Sequence, residues 1–435
     1  MSRGYDHAVA EHKLSTLAGG EKVVSERLDS VRSVALGFWI GTGSRDEPTA
    51  RAGVSHFIEH MLFKGSSRYD AQQIAETFDG LGGDLNAATS RETTVVYARV
   101  PDEKLEVALD VMADMVFRPQ FEDLDSEREV VLEEIAMVED NPHDLVHDLA
   151  AEAVFGSHPL GRPVIGSADV ISTVSRRAMR SYHEGAYVAG NVVIAAAGNV
   201  DHARLLKLVK ARVRDTSHDF RLTRKPAGRM PQPGTRFQRK DTEQYHVCLA
   251  APGIRRDDER RYAAALLDAI VGGSASSRLF QEIREKRGMA YSVYSFGSQY
   301  ADSGLVGLYV GTREENLAEC LEIAAAELVD VATGSLRSGE LERAKDNLKG
   351  RLLLSLESTS ARMTRLGKAV VTGSEITSVD DTIARVDAVT EADVAALAAE
   401  LLAPGRLSAA GIGPDEDRFR AAVERVNPTA LSRAA

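Results

Sequence analysis

The sequence predicts an α+β fold made of two similar domains, because it contains an internal repeat and mixes helical with strand patterns. SVALGFWIGTGSRDE resembles YHVCLAAPGIRRDDE in the second half, with Glu47 aligned to Glu259 (259 − 47 = 212). TVVYARVPDEKLEVALDVMADMV resembles VGLYVGTREENLAECLEIAAAELV at the same offset, and VVIAAAGNVDHARLLKLV resembles LSAAGIGPDEDRFRAAVE (411 − 198 = 213). Three matches at nearly one offset indicate a tandem duplication.

The elements of each half follow from periodicity and composition. Amphipathic patterns predict helices, and β-branched and aromatic content predicts strands. In the first half the helices are expected at 50–63, 70–80, 102–117 and 123–140, and the strands at 33–42, 92–100 and 191–198. In the second half the strands are expected at 245–251, 290–299 and 303–311, and the helices at 259–271, at 276–286, from 313 and from 337. This order predicts helices packed on a largely antiparallel sheet in each domain.

A proline- and glycine-rich stretch separates the halves. RLTRKPAGRMPQPGTRFQRK, residues 221–240, contains no acidic residue, and its prolines and glycines favour an extended connection. It predicts a linker between a domain at 1–220 and a domain at 241–435. Its basic side chains are expected to lie over acidic surfaces of the same chain, with a partner site as the alternative.

Length, charge and cysteine content exclude several classes of protein. A chain of 435 residues is too long for one ordinary core. The net charge of −12 disfavours nucleic-acid binding. Cys248 and Cys320 are the only cysteines, so neither a thiolate metal site nor a disulfide framework is expected. The sequence shows no signal-peptide core and no membrane span. We expect a cytoplasmic protein without a membrane partner.

The stretch VSHFIEHMLF, residues 54–63, contains side chains that can bind a metal ion, and composition alone does not predict such a site. On a helix His56 and His60 lie on one face, and Glu59 projects near it. A hydrolytic zinc site needs three protein ligands and a base beside the bound water. His56 and His60 supply two ligands, and Glu59 is placed as the base. Chance produces His-x-x-acid-His in roughly 4 of 100 such chains, so a solvated helix with two surface histidines stays open at this point.

A third ligand is expected in SEREVVLEEIAMVED, residues 126–140. Glu127 and Glu134 are seven positions apart, two turns along one helix face. The apolar residues expected to bury part of this helix are Val130, Val131, Leu132, Ile135 and Val138. A carboxylate on a mostly buried face requires a cation or a hydrogen-bond partner, and a metal ion would supply one.

These segments together resemble one family. GVSHFIEHMLFKGS carries the inverted H-x-x-E-H motif. With LGGDLNAATSRETTVVYARV and SEREVVLEEIAMVED it resembles the pitrilysin/insulinase metallopeptidases, in particular the two-domain branch of the mitochondrial processing peptidase β subunit and its bacterial relatives. The resemblance spans nearly the whole chain. It implies two homologous domains that face each other across a cleft.

The resemblance also implies the roles of individual residues. His56, His60 and Glu134 would bind one Zn²⁺ per chain, and Glu59 would be the general base. Glu127 matches a family glutamate that supports the site without necessarily binding metal. The E-R-x-V-V-L-x-E register favours Glu134 over Glu133 as the third ligand.

Four further residues are implied to hold substrate. Asn86 and Ala87 match an edge strand that pairs with extended peptides, with a turn after Gly82 and Gly83 as the alternative for Asn86. Arg284 and Tyr291 match the family's R-x6-Y element, which reaches the substrate backbone across the cleft. An arginine and a phenol can stabilise an oxyanion. A strand core residue is the alternative for Tyr291.

The repeat supplies an internal control. Adding 212 to His56, Glu59 and His60 gives Asp268, Val271 and Gly272, so the second half lacks the metal constellation. Histidines kept in only one copy indicate chemistry there. The other histidines singled out in the sequence are interpreted as surface or structural residues: His143, His147, His158 and His183.

The sequence therefore predicts a zinc-dependent endopeptidase that hydrolyses peptides or flexible unfolded segments, with a homodimer as the candidate assembly. One alternative is a non-catalytic or partner-dependent subunit of a processing-peptidase-like complex. Another is a zinc hydrolase whose substrate is not a peptide. Retention of His56, Glu59, His60 and Glu134 disfavours the non-catalytic subunit. The presence of Arg284 and Tyr291 in the same chain disfavours dependence on a partner. Only the family resemblance disfavours the substrate that is not a peptide.

Overall fold

The computed structural model describes residues 12–213, 223–228 and 232–431. The chain divides into two compact units of three segments each. The first unit comprises Met1–Glu133, Val164–Arg224 and Leu353–Val379. The second comprises Glu134–Pro163, Lys225–Leu352 and Asp380–Ala435. Each unit has one β-sheet with helices packed on it, which confirms the predicted α+β class.

Among the described residues the sheet of the first unit has six strands. They are β1 (His12–Thr16), β2 (Lys22–Arg27), β3 (Ser33–Ile40), β4 (Asp84–Thr89), β5 (Thr94–Pro101) and β6 (Val192–Gly198). Their order is β1-β2-β6-β3-β5-β4, and of these pairs only β2 with β6 is parallel. Strand β6 is buried along its whole length and lies in the middle of the sheet.

The described part of the second unit has a five-stranded sheet. Its strands are β7 (Thr235–Arg239), β8 (Tyr245–Gly253), β9 (Ala290–Gln299), β10 (Gly304–Thr312) and β11 (Ser408–Gly413). The order is β7-β11-β8-β10-β9, with only β7 and β11 parallel. Without β1, the first sheet has the same order and the same single parallel pair. The topology therefore repeats, as the sequence repeat predicts.

Helices cover both sheets. They are α1 (Val54–Leu62), α2 (Ala71–Leu81), α3 (Leu105–Phe117), α4 (Leu124–Asp140), α5 (Pro142–Phe155), α6 (Ala168–Ile171), α7 (Arg176–Ala186), α8 (His202–Lys210), α9 (Arg261–Val271), α10 (Leu317–Ala332), α11 (Glu340–Ser355), α12 (Thr359–Thr372), α13 (Val379–Ala388), α14 (Glu391–Leu401), α15 (Glu416–Val426) and α16 (Pro428–Leu431). The helices predicted in the first half are confirmed as α1 to α4. The helix predicted at 276–286 is instead a π-helical segment, Phe280–Glu285.

Two helices cross between the halves of the sequence. Helix α5 comes from the first half but packs on β8 and β11 of the second unit. Helix α12 comes from the second half but packs on β3 and β6 of the first unit. Each sheet thus buries one face beneath a helix from the other half of the chain. The domain borders at 1–220 and 241–435, which follow the sequence repeat, stay a prediction, as does the cleft implied between the domains.

The predicted linker is only partly a linker. Within 221–240, residues 221, 222 and 229–231 lie outside the described residues. Thr235–Arg239 forms β7, because its backbone pairs with β11. The expectation that its basic side chains lie over acidic groups of the same chain is confirmed. Arg224 Nε lies 2.9 Å from Asp46 Oδ1, and Arg236 Nε lies 2.8 Å from Glu152 Oε1. No helix among the described residues is both long and apolar enough to span a bilayer.

Candidate metal centre

Helix α1 is fixed at its first turn by a buried carboxylate. Glu47 accepts hydrogen bonds from the backbone N–H groups of Gly53 and Ser55, each at 2.7 Å. These groups have no partner within the helix. Gly53 has φ of 95°, a conformation that glycine adopts without strain. The apolar side of the helix is fully buried and consists of Val54, Phe57, Ile58, Met61 and Leu62. Its rotation is thereby set, and His56, Glu59 and His60 lie at the half-buried side.

Three side chains converge next to this helix. His56, His60 and Glu134 each offer one ligand atom, and these atoms lie within 4.8 Å of one another. The two imidazole rings have centroids 4.7 Å apart. Glu134 is half-buried on α4, whereas Glu133 is exposed. Two imidazole nitrogens and one carboxylate oxygen are a donor set that suits a divalent metal ion with an open coordination position. These residues therefore fit a metal ion, with Glu134 and not Glu133 in the group.

Glu127 lies two turns before Glu134 on α4 and contacts His60. One oxygen of its buried carboxylate is 2.8 Å from His60 Nδ1, and the other is 2.7 Å from Lys64 Nζ. Both carboxylate oxygens of Glu127 thus have a partner in the chain. A hydrogen bond at Nδ1 would leave Nε2 of His60 for a metal ion. The supporting role that the family resemblance implies for Glu127 stays a prediction.

The expected burial of α4 is wrong at one position. Val130 was expected on the buried face but is 49% exposed. The buried stripe runs through Leu124, Glu127, Val131 and Ile135 at spacings of three and four. Val130 lies beside that stripe. The seven-residue spacing of Glu127 and Glu134 thus predicted the inward face of α4 better than the run of apolar residues did.

The surroundings keep the His56 imidazole neutral and hold the Glu59 carboxylate in place. Burial, followed by the nearby charge of His60, lowers the pKa of His56 to about 4. At pH 7 its imidazole is neutral, as a metal ligand must be. Thr89 Oγ1 donates a 2.5 Å hydrogen bond to Glu59 Oε2. The phenol of Tyr187 is also nearby, and burial and the charge of Glu59 raise its pKa.

Sequence reasoning missed Thr89 and Tyr187 as neighbours of Glu59. Thr89 is 30 positions away in the sequence and ends β4, whose partner β5 is contacted by α1. Only the pairing register shows that it reaches the helix. The one available signal was that Thr89 follows the predicted substrate strand in NAATS.

The predicted substrate residues lie on edge strands. Asn86 and Ala87 belong to β4, the outer strand of the first sheet, so the turn interpretation of Asn86 is wrong. Asn86 is exposed and pairs with Tyr97 of β5. Among the described strands β4 is last in the order, and at this position the Ala87 N–H donates to the Asn86 side chain at 2.8 Å.

Arg284 and Tyr291 are brought together in the second unit. Tyr291 is at the start of the edge strand β9 and is 79% exposed, so its interpretation as a core residue is wrong. The Arg284 guanidinium lies 4.6 Å from the ring centroids of both Tyr291 and Phe280. These cation–π contacts hold the guanidinium over two rings.

The second copy of the helix cannot carry the metal constellation. Helix α9 ends at Val271, at the position that aligns with Glu59. Gly272 aligns with His60, and a Cβ atom there would lie 2.1 Å from the backbone nitrogen of Ser295. Asp268, aligned with His56, accepts a 2.6 Å hydrogen bond from the Ser295 hydroxyl. A histidine does not fit at position 272, because β9 occupies the space that its side chain would need.

Two of the remaining histidines, His158 and His183, form hydrogen bonds with the backbone. His183 Nε2 bonds the carbonyl of Val116 at 2.8 Å, and His158 Nδ1 accepts from the N–H of Leu160. His143 and His147 lie on α5 and contact the second sheet.

The comparisons with known proteins agree with this geometry. The family model described as insulinase, peptidase family M16, matches residues 22–168. The model described as the peptidase M16 inactive domain matches residues 173–348. The chain belongs to the insulinase family of peptidases, which confirms the resemblance identified in the sequence.

Similar proteins extend over nearly the whole chain. A Streptomyces coelicolor protein named an uncharacterized zinc protease is 43% identical over 95% of this chain and 92% of its own length. The uncharacterized zinc protease YmxG of Bacillus subtilis is 41% identical over 89% of this chain and 95% of its own. A crystal structure of a peptidase M16 inactive domain from Pseudomonas fluorescens is similar with a TM-score of 0.86. It is 25% identical and covers 93% of this chain and 98% of the other.

Proposed function

We propose that this chain is a zinc-dependent endopeptidase that cleaves peptides and flexible, unfolded segments. The observation that carries the proposal is the convergence of His56, His60 and Glu134, with Glu59 on the same helix as the two histidines. The donor set is that of hydrolytic zinc sites. The names of the relatives, which are zinc proteases, support the same metal and reaction.

The chemistry assigns a separate task to each side chain. Zinc bound to the three ligands would polarise the scissile carbonyl and acidify water. Glu59 accepts a proton as water attacks the carbonyl carbon and then delivers that proton to the leaving amine. The Thr89 hydroxyl donates to Glu59 Oε2 and so helps to hold the carboxylate in orientation for this transfer. Glu127 keeps the His60 ring in orientation.

We assign substrate binding to the two edge strands. An extended peptide that adds to β4 beside Asn86 and Ala87 would be held through its backbone, with little side-chain preference. Arg284 and Tyr291 are proposed to contact the substrate backbone near the scissile bond, where they can stabilise the developing oxyanion. The exposure of Tyr291 and its stacking with Arg284 support this role.

Substitution of Glu59 by glutamine tests the proposal. We expect Glu59→Gln to bind zinc as the wild type does and to lose about 10²–10⁴-fold in kcat on a mixed peptide library, because glutamine cannot accept the proton. Glu133→Gln is the matched control, since Glu133 is exposed on the neighbouring helix, and it should cleave normally. Cleavage should stop with chelator and return with zinc.

Three outcomes would count against the proposal. Full activity in Glu59→Gln would exclude the general-base role. Cleavage that persists with chelator would exclude a metallopeptidase. A zinc-loaded wild type that cleaves no peptide would favour the non-catalytic or partner-dependent subunit. Cut sites inside long peptides, instead of at their ends, would identify endopeptidase activity.

A further inference from the structure

A second group of metal-binding side chains lies between α5 and the second sheet. We call it the α5 cluster and define it as His143, His147 and Tyr294. His143 and His147 are separated by one helical turn and point from the same face of α5. Tyr294 comes from β9 beneath them. All three belong to the second unit, whose helix α9 lacks the histidines of α1.

The donors of the α5 cluster converge on one point. Tyr294 Oη lies 2.8 Å from His147 Nε2 and 2.9 Å from His143 Nε2. Two donors bound at right angles to one ion, each about 2.0–2.1 Å from it, are themselves about 2.9 Å apart. The phenol lies at hydrogen-bond distance from each imidazole, and the same spacing fits neighbouring ligands of one ion.

The other nitrogen of each ring has its own partner. His143 Nδ1 is 3.2 Å from a carboxylate oxygen of Asp144, and His147 Nδ1 is 3.8 Å from the Cys248 sulfur. Metal-binding histidines usually donate their second N–H to a carboxylate or a similar acceptor, which fixes the tautomer and the ring orientation. Both rings of the α5 cluster show this arrangement.

The equivalent place in the first unit shows that the fold does not require these polar groups. There α12 covers the sheet, and Trp39 Nε1 donates to Met363 Sδ at 3.4 Å. Strand pairing places Tyr97 opposite Asn86 in the first unit and Tyr309 opposite Tyr294 in the second. The position of Tyr294 is thus filled by Asn86, and no histidine lies on α12.

We propose that His143, His147 and Tyr294 bind a second divalent transition-metal ion. Imidazole nitrogens with a phenol oxygen suit copper, nickel, zinc or iron, and the affinity for Cu²⁺ is expected to be the highest. Binding breaks the O–H bond of Tyr294 and releases that proton to solvent, leaving the phenolate oxygen on the ion. Each imidazole then keeps its proton on Nδ1. That N–H group donates a hydrogen bond to Asp144 in His143 and to the Cys248 sulfur in His147. His143 is partly exposed, which gives the ion a way in.

The test is a titration of the metal-depleted full chain with Cu²⁺, in buffer with excess glycine to remove weakly held ions. We expect two Cu²⁺ per wild-type chain and a phenolate-to-copper charge-transfer band. His56→Gln/His60→Gln should bind one ion and keep the band. His143→Gln/His147→Gln should bind one ion and lose the band. These two outcomes separate the second site from the proposed peptidase site.

Three further variants test whether the loss of binding is specific to the α5 cluster. Tyr294→Phe removes one oxygen, and we expect it to lose the band and the second ion. His202→Gln is the matched control, because His202 is a partly buried histidine bonded to Ser15 and Ser25, and it should keep both ions. His143→Gln alone changes a partly exposed side chain and should also lose the second ion without loss of fold.

Some results would overturn the proposal. One ion per wild-type chain would leave the α5 cluster as a purely structural hydrogen-bond network. A second ion retained in His143→Gln/His147→Gln, or a band retained in Tyr294→Phe, would place the ion elsewhere. Thermal unfolding of each variant without metal, matching the wild type, shows that any loss of binding is not a loss of fold.

Discussion

Helices α12 and α5 cover equivalent faces of the two sheets, and the two contacts differ in their polar content. Both contacts are built on apolar cores. Beneath α12 the Trp39 indole donates to the Met363 sulfur, and a Cβ on Gly367 would lie 2.0 Å from the indole nitrogen. Beneath α5 hydrogen bonds join two histidines and Tyr294 beside the apolar core. The shared topology therefore accepts a polar network at this contact without requiring one.

The same comparison holds at α1 and α9. Helix α1 carries His56 and His60 on its half-buried side, whereas α9 ends before Gly272, where an added Cβ would meet the backbone of β9. The duplicated halves share one topology. The residue types near the end of α1 and of α9 decide which half can hold the metal group of His56, His60 and Glu134.

The largest expected effect comes from removing the apolar contact between Met363 and Trp39 beneath α12. Met363→Ala should lower the free energy of unfolding by about 2–5 kcal/mol, because it leaves a cavity against Trp39. Urea unfolding followed by tryptophan fluorescence measures it directly, since Trp39 is the chain's one tryptophan. Thr364→Ala, exposed on the same helix, should change stability by less than about 0.5 kcal/mol. Equal effects from both would mean that the contact contributes little.

The next effect sharpens the comparison of α1 with α9. Gly272→Ala should destabilise the chain by about 1–3 kcal/mol, because the new methyl group meets the Ser295 backbone. Gly80→Ala, inside α2 with open space around it, should instead stabilise by about 0.4–1 kcal/mol. The same urea series compares them. A neutral Gly272→Ala would show that β9 moves aside easily and that space does not exclude the histidine.

The smallest effect concerns the orientation of His60. Glu127→Gln should weaken zinc binding about 10–100-fold, because a neutral acceptor replaces the charged one at Nδ1. Competition with a chromophoric chelator gives the dissociation constant. Glu133→Gln, exposed on the same helix, should leave that constant unchanged. If both variants bind zinc like the wild type, Glu127 has no part in holding the ligand.

Much of this architecture could be predicted because it depends on local patterns. Periodicity located α1 to α4 within a few residues, and the repeat predicted two sheets of one topology. The same patterns failed where neighbours in space decide: Val130 is exposed beside a buried stripe, Thr235–Arg239 is a strand, and Phe280–Glu285 is π-helical. Hydrophobicity along one element does not show which neighbour covers it.

The sequence by itself determined the duplication and the residue types of the metal group. The spacing of His56 and His60 is set by helix geometry, and it exists before any tertiary contact. The tertiary structure decided that Glu134 and not Glu133 faces those histidines, and that Thr89 reaches Glu59. It also decided that Tyr294 lies between His143 and His147. These contacts join residues 30 to 151 positions apart, and only the packing of strands and helices brings such positions within hydrogen-bond distance.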